Sequence, residues 1–299
     1  MIPQQLGNLS SLLYLGLGHN LDLYVDNLHW VSSLSSLESL DLSYVNLSKA
    51  YDHWLLALNM IPSLQELRLS YCYLSHIHFP SHINLTSLET LDLSYNSLKL
   101  GGSILCTFRN NMSLLIYLDL SSNNINSVIP NCFYSFSNLE HLHLSNTNLH
   151  GIISSDVANL TSIVNLNLRG NALAGKIPSF MGKLCNLEEF DLAGNNYKGS
   201  VSMVFESLSG CLSKSLKSLN LGGNSFDSFT GQILETYMRH FKKLHVLSLR
   251  NNIFSGPIPL SIFGNLISLK TLDLSSNNFS GPLPEFHASL SKLESLSID

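Results

Sequence analysis

The sequence predicts an α/β solenoid: a curved array of short repeats with a parallel sheet on its concave face, about eleven complete repeats and a partial one at each end. Three observations carry this. A segment of Leu, two residues, Leu, one residue, Leu or Phe, two residues and usually Asn recurs about a dozen times along the 299 residues. Leu12-Leu15-Leu17-Asn20, Leu88-Leu91-Leu93-Asn96 and Leu269-Leu272-Leu274-Asn277 are clean copies. The anchoring apolar residue falls at 12, 37, 64, 88, 115, 139, 163, 187, 216, 244, 269 and 293, in steps of 24 to 29 residues. Finally, only 12% of residues are charged, the net charge is −5, and no basic stripe or low-complexity linker divides the chain. That balance argues against nucleic acid as a partner.

This period and motif define a leucine-rich repeat. Within each rung the Leu-x-Leu core is a short strand, and period-two alternation turns its intervening side chain outward. One rung cannot bury its own apolar face, so it stacks on the next at about 4.8 Å. The Asn serves a separate purpose, because its side-chain amide donates to and accepts from buried backbone groups of the following turn. Eight of the eleven complete rungs carry it, and Val45, Cys72 and Thr147 replace it in the others. Val cannot hydrogen-bond, so that rung is expected to be the weakest unless Asn46 shifts in. Past the Asn, segments such as Gly175-Lys176-Ile177-Pro178 and Gly256-Pro257-Ile258-Pro259 supply a tight bend and then an extended stretch on the flank. Residues 52–60 and 232–242 are long and apolar enough at helical spacing to form convex helices.

The chain reads as one solenoid over residues 1–299, since a repeat array counts as one domain. It opens at Met1-Ile2-Pro3, the second half of a repeat, and closes part-way through another at Leu293, Leu296 and Ile298. Neither end carries a polar cap, so it is expected to be an interior piece of a longer protein or the product of an incomplete gene model. This stretch is expected to carry no signal peptide, and its apolar runs fall short of membrane-spanning length.

Six Asn-x-Ser/Thr sequons mark candidate glycosylation sites: Asn8, Asn46, Asn84, Asn111, Asn159 and Asn278. Asn8, Asn84 and Asn159 share one phase on the convex side. Among the five cysteines, Cys72 sits at the buried ladder position. Cys106 and Cys132 lie 26 residues apart on adjacent rungs, as do Cys185 and Cys211. Stacking brings each pair near bonding distance; the alternatives are two disulfides or four free thiols.

Chemistry-bearing motifs are sparse. His76, His78 and His82 cluster, and His141 and His143 share a strand face, but no Cys or acid completes a metal-ligand set. Gly16-x-Gly18 lacks the third Gly of a nucleotide loop, and no Gly-x-Ser-x-Gly elbow occurs. A stack of near-identical rungs is a surface for binding, so we expect no enzyme, no cofactor and no metal.

The candidate ligand-binding surface is an outward column along the strands that reads His19, Tyr44, Tyr71, Tyr95, Ser122, Asn146, Gly170, Gly194, Gly223, Asn251 and Ser276. Its three tyrosines, on consecutive rungs, make an aromatic stripe about 10 Å long. Beside it lie Asp41, Arg68, Asp92 and Asp119, with Glu66 and Tyr117 within reach and His141 and His143 further along. Tyr gives large contact area at low entropy cost, which suits a binding hot spot. The bland alternative is a shield over the sheet edge. The later, glycine-rich rungs read as spacer.

Taken together, the Leu-x-x-Leu-x-Leu-x-x-Asn segment and the Gly-x-Ile-Pro that follows it resemble the plant-type extracellular leucine-rich repeat. The stretches Leu37 to Ala50, Leu64 to Cys72 and Leu208-Ser209-Gly210-Cys211 are similar to plant receptor-like proteins of the group that includes receptors for fungal ethylene-inducing xylanase. The resemblance implies a ligand-binding ectodomain of a cell-surface receptor in defence signalling. Such a receptor recognises an extracellular pathogen-derived protein or peptide, lies on the extracellular face of the plasma membrane and signals through a co-receptor kinase. A receptor-kinase ectodomain is the first alternative, and a secreted protein similar to polygalacturonase inhibitors the second. In either receptor, any membrane contact would be made by segments outside this sequence.

Overall fold

The computed structural model describes residues 1–78, 82–101, 106–107, 112–229, 232–282 and 290–298. Two compact units emerge, Met1–Asn148 and Leu149–Asp299. Both are built from the same rung.

In the first unit, six three-residue strands pair in parallel: β1 (Tyr14–Gly16), β2 (Ser39–Asp41), β3 (Glu66–Arg68), β4 (Thr90–Asp92), β5 (Tyr117–Asp119) and β6 (His141–His143). The register is residue for residue, so Leu15, Leu40, Leu67, Leu91, Leu118 and Leu142 form one column. All six are buried, while their strand neighbours from β2 onward are half-exposed on the open face. That follows from the two-residue period of a strand. Behind the column, Leu37, Leu42, Leu64, Leu69, Leu88 and Leu93 are fully buried and supply the apolar contact that one rung lacks.

Buried polar ladders link the rungs. The Asn123 amide donates to the carbonyl of Leu93 on the preceding rung at 2.8 Å and to that of Leu120 on its own at 3.1 Å. Its side-chain oxygen accepts from the Leu98 N–H at 3.0 Å. Asn96 repeats the pattern with Leu69, Leu93 and the N–H groups of Cys72 and Leu74. Asn46 does not shift into the Val45 position; its side-chain oxygen accepts locally from the Ser48 N–H at 3.0 Å. The next rung compensates instead. The Cys72 thiol reaches the Leu42 carbonyl at 3.1 Å, the cross-rung bond that an Asn would make, and the Val45 N–H donates to the same oxygen at 2.9 Å. Cys72 is free and buried, and burial pushes its thiol up to about 12. Thr147 donates to Leu144 at 2.7 Å.

The second unit pairs Asn165–Asn167, Glu189–Asp191, Ser218–Asn220, Val246–Ser248, Thr271–Asp273 and Ser295–Ser297 in the same parallel register. Asn195, Asn224 and Asn252 repeat the ladder. The flanking extended segments pair here as well: His150–Gly151 with Ala172–Leu173, Lys198–Ser200 with Ser225–Ser228, and Ser255–Gly256 with Asn278–Phe279. Each unit carries one disulfide, Cys106–Cys132 in the first and Cys185–Cys211 in the second.

The convex side is mostly single 3-10 turns, several entered through Pro: Gln4–Asn8 after Pro3, Asn131–Ser135 after Pro130, Ser179–Lys183 after Pro178. The helix expected over residues 52–60 is shorter, Trp54–Leu58, and that over 232–242 ends as Gln232–Met238. A further helix, Val201–Ser207, forms in a stretch where the sequence pattern singles out no element. Packing decides: Val201, Val204 and Phe205, spaced by three and four, are buried together, and the Ser200 hydroxyl caps the helix by accepting from the Ser202 N–H. Among the described residues no helix is long and apolar enough to cross a membrane.

Candidate functional site

Three columns of side chains line the open face of the first unit. Strand pairing aligns Ser39, Glu66, Thr90, Tyr117 and His141 in one, and Asp41, Arg68, Asp92, Asp119 and His143 in the next. The third, His19, Tyr44, Tyr71 and Tyr95, does not lie on the strands as expected. It sits in the turn just beyond them, in left-handed backbone, with φ of 60, 66, 56 and 52°. Each of these residues donates its N–H to the Ser43, Ser70, Ser94 or Ser121 carbonyl of the next rung, which fixes the turn. Equivalent residues on successive rungs recur at about the strand spacing of 4.8 Å, which is also aromatic stacking distance. The rings therefore stack: His19 on Tyr44 at 4.8 Å, Tyr44 on Tyr71 at 4.7 Å and Tyr71 on Tyr95 at 4.3 Å, the last two within 11° of parallel. Tyr71 is 39% and Tyr95 47% exposed.

Next to the stack lies a hydrogen-bonded charged cluster. The Arg68 guanidinium meets Glu66 at 2.6 Å and lies 5.7 Å from the centre of the Tyr117 ring. The Ser39 hydroxyl donates to the other Glu66 oxygen at 2.8 Å. Burial pushes the Glu66 carboxyl up, but the hydrogen bonds from Arg68 and Ser39 outweigh it and hold the group below the ordinary carboxylate value. Asp92 and Asp119 differ although they are adjacent. Burial raises Asp92 above its ordinary value in spite of the Ser94 hydrogen bonds. Burial also opposes ionisation of Asp119, yet His143 at 3.6 Å and the hydrogen bonds from Ser121 bring it below. The Tyr117 phenol is pushed up to about 12, first by burial and then by the charges of Asp119 and Asp92. His141 and His143 flank the Tyr117 ring at 5.8 and 5.4 Å. The structure thus brings Glu66, Arg68, Tyr117, His141 and His143 into one patch beside Tyr44, Tyr71 and Tyr95. Sequence reasoning omitted Ser39, which clamps Glu66, and the part of His19 as the first ring of the stack.

The patch presents phenol edges, a fixed ion pair and imidazoles, an arrangement suited to recognition. His78 approaches Asp52 at 3.6 Å, but among the described residues no three His, Cys, Asp or Glu groups converge on a metal position. Of the sequons, Asn8, Asn84, Asn159 and Asn278 are exposed and Asn46 is half-buried; Asn111 lies outside the described residues.

Known proteins place this scaffold. The leucine-rich-repeat family matches residues 113–173 in one form and 63–85, 87–111, 243–265 and 268–290 in another, together more than half of the chain. The chain is a leucine-rich-repeat protein. Over 145 residues, 47% of this chain and 14% of the relative, it is 37% identical to the receptor-like protein EIX1 of Solanum lycopersicum. It is thereby similar to plant leucine-rich-repeat receptor-like proteins of that group. Among solved structures it is similar to a TDR receptor, with 26% identity and a TM-score of 0.79 over 98% of this chain and 48% of that one. It is also similar to the Arabidopsis receptor kinase HAESA, solved with the peptide hormone IDA and the co-receptor SERK1, with 26% identity and a TM-score of 0.69 over 99% of this chain and 55% of that one. The leucine-rich-repeat chain thus spans 14% of its receptor-like relative and about half of each of these receptors.

Proposed function

We propose that this leucine-rich-repeat chain is ligand-binding ectodomain sequence of a plant cell-surface receptor-like protein. It recognises an extracellular, pathogen-derived protein or peptide in defence signalling, and the ligand docks on the tyrosine stack. The observation that carries this reading is the four-ring stack beside the Arg68–Glu66 pair, a large, half-exposed aromatic surface with paired polar neighbours. The identity with a receptor-like protein and the likeness to an ectodomain solved with a peptide and a co-receptor support it. The scaffold binds and does not catalyse, and signalling passes through a co-receptor kinase at the plasma membrane. A receptor-kinase ectodomain is the second reading, favoured by the likeness to HAESA. Glycans at Asn8, Asn84 and Asn159 belong to the same reading, because all three are exposed at the convex side; glycopeptide mass mapping of secreted protein tests them.

The test of docking is the full-length receptor expressed in leaves and challenged with fractionated fungal culture filtrate. Tyr71→Ala is expected to weaken ligand binding by at least ~1 kcal/mol while the protein remains folded. Unaltered binding after Tyr44→Ala, Tyr71→Ala and Tyr95→Ala would overturn the assignment.

A further inference from the structure

The second unit carries an arginine pair that its fold does not use. The position after the third core residue of a rung is occupied by buried small residues at Ala193 and Ser275. Arg169 and Arg250 hold the same phase and are exposed. Neither guanidinium has an ion-pair or hydrogen-bond partner among the described residues, in contrast to Arg68. Both line one recess of about 460 Å³, bounded also by Ala193, Gly194, Gly222 and Gly223, where no long side chain rises. Its one lining acid, Asp273, is engaged by the Ser275 N–H and hydroxyl at 3.1 and 2.6 Å.

Three strand steps separate the two arginines, about 14 Å at 4.8 Å each. An extended peptide advances about 3.3 Å per residue, so four residues cover about 13 Å, and the two-residue period returns residue i+4 to the face of residue i. We propose that this recess binds an extended acidic peptide segment lying across the strands, with carboxylates at i and i+4 meeting Arg169 and Arg250. The inference rests on the reading that the chain binds a peptide, but it names a surface separate from the tyrosine stack.

The test is selection of a displayed random-peptide library on the whole 299-residue chain. Recovered peptides are then titrated against Arg169→Ala, Arg250→Ala, the double variant and Tyr71→Ala. The arginines are exposed, so their removal leaves the fold intact, which thermal melts verify. Enrichment of acid pairs four residues apart is expected, with about tenfold weaker binding for each arginine removed. Arg250→Glu should regain affinity for peptides carrying Lys in place of the second acid. Binders without an acidic pair, or acidic binders indifferent to the double variant, would overturn the proposal. Binders lost with Tyr71→Ala but not with the arginine variants would sink this inference and leave tyrosine docking standing. A library with no binders at all would count against both.

Discussion

The turn column of the first unit and that of the second solve one backbone problem in two ways. In the second unit three consecutive left-handed turns are filled by Gly170, Gly194 and Gly223 at φ of 66, 66 and 63°, where glycine meets no steric penalty, and the next two by Asn251 and Ser276. In the first, three consecutive rungs carry Tyr44, Tyr71 and Tyr95 there at nearly the same φ, a conformation that bulky residues seldom adopt, with His19 before them and Ser122 and Asn146 after. Left-handed backbone costs on the order of 1 kcal/mol or more per non-glycine residue, and each stacked aromatic pair contributes about 0.5–1.5 kcal/mol. The two nearly cancel, so stability alone gives little reason to place tyrosine there. The tyrosines present an exposed aromatic surface, which fits recognition; the glycines open a recess and leave its edges to arginine.

The largest effect is expected from forcing the first solution onto the second unit. A Cβ at Gly223 would stand 3.2 Å from the Gly194 nitrogen and 3.3 Å from its Cα, both backbone. Gly223→Tyr should therefore destabilise by roughly 2 kcal/mol or more, read by denaturant unfolding. A melt equal to wild type would mean that the columns are interchangeable.

The adjacent carboxylates of the first unit give a smaller contrast. Asp119 is lowered in the folded state, so its stabilising contribution is present above the ordinary carboxylate pKa and is lost as pH falls through its depressed value. Asp92 is raised, so its ionised form costs stability at neutral pH and that cost is relieved in acid. Asp119→Asn should lose about 1 kcal/mol at neutral pH, while Asp92→Asn should lose nothing or gain slightly. Both differences should shrink as pH drops below the carboxylate range. Equal behaviour of the two variants would contradict the assigned roles of His143 and Ser121.

The smallest effect separates strain from stacking. Tyr71→Ala and Tyr71→Gly both remove the ring, but only glycine relieves the 56° φ. The glycine variant should be the more stable by roughly 0.5–1 kcal/mol. If alanine is as stable as glycine, the left-handed turn is not a cost that the stack offsets.

Much of the scaffold was legible in the sequence. The phase of the Leu anchors located every inner strand, because the burial of Leu40, Leu67 or Leu118 and the half-exposure of their neighbours follow from a two-residue period. The same period put Glu66 and Arg68 on one face. The turn column was legible as a run of residues but not as a conformation, although Gly and Asn in the same phase, at Asn146, Gly170 and Asn251, are the residues that tolerate left-handed backbone. The Val201–Ser207 helix was not picked out because its single apolar face, Val201, Val204 and Phe205, is too short a run to carry a helical period by itself. The Cys72 bond to Leu42 was hidden for another reason: it replaces a donor missing one rung earlier, which no single-rung pattern records. Arg169 and Arg250 passed as spacer because their relation exists only once the rungs are stacked.

The most direct measurement of the central claim, that the tyrosine stack is a docking surface, is ligand binding by the proposed full-length receptor carrying Tyr71→Gly. Glycine keeps the turn and its N–H bond to the Ser94 carbonyl, so the fold is spared while the stack is cut in its middle. Binding weakened about tenfold or more, with the melting temperature of wild type, is the predicted result. Wild-type affinity in that variant would contradict the account.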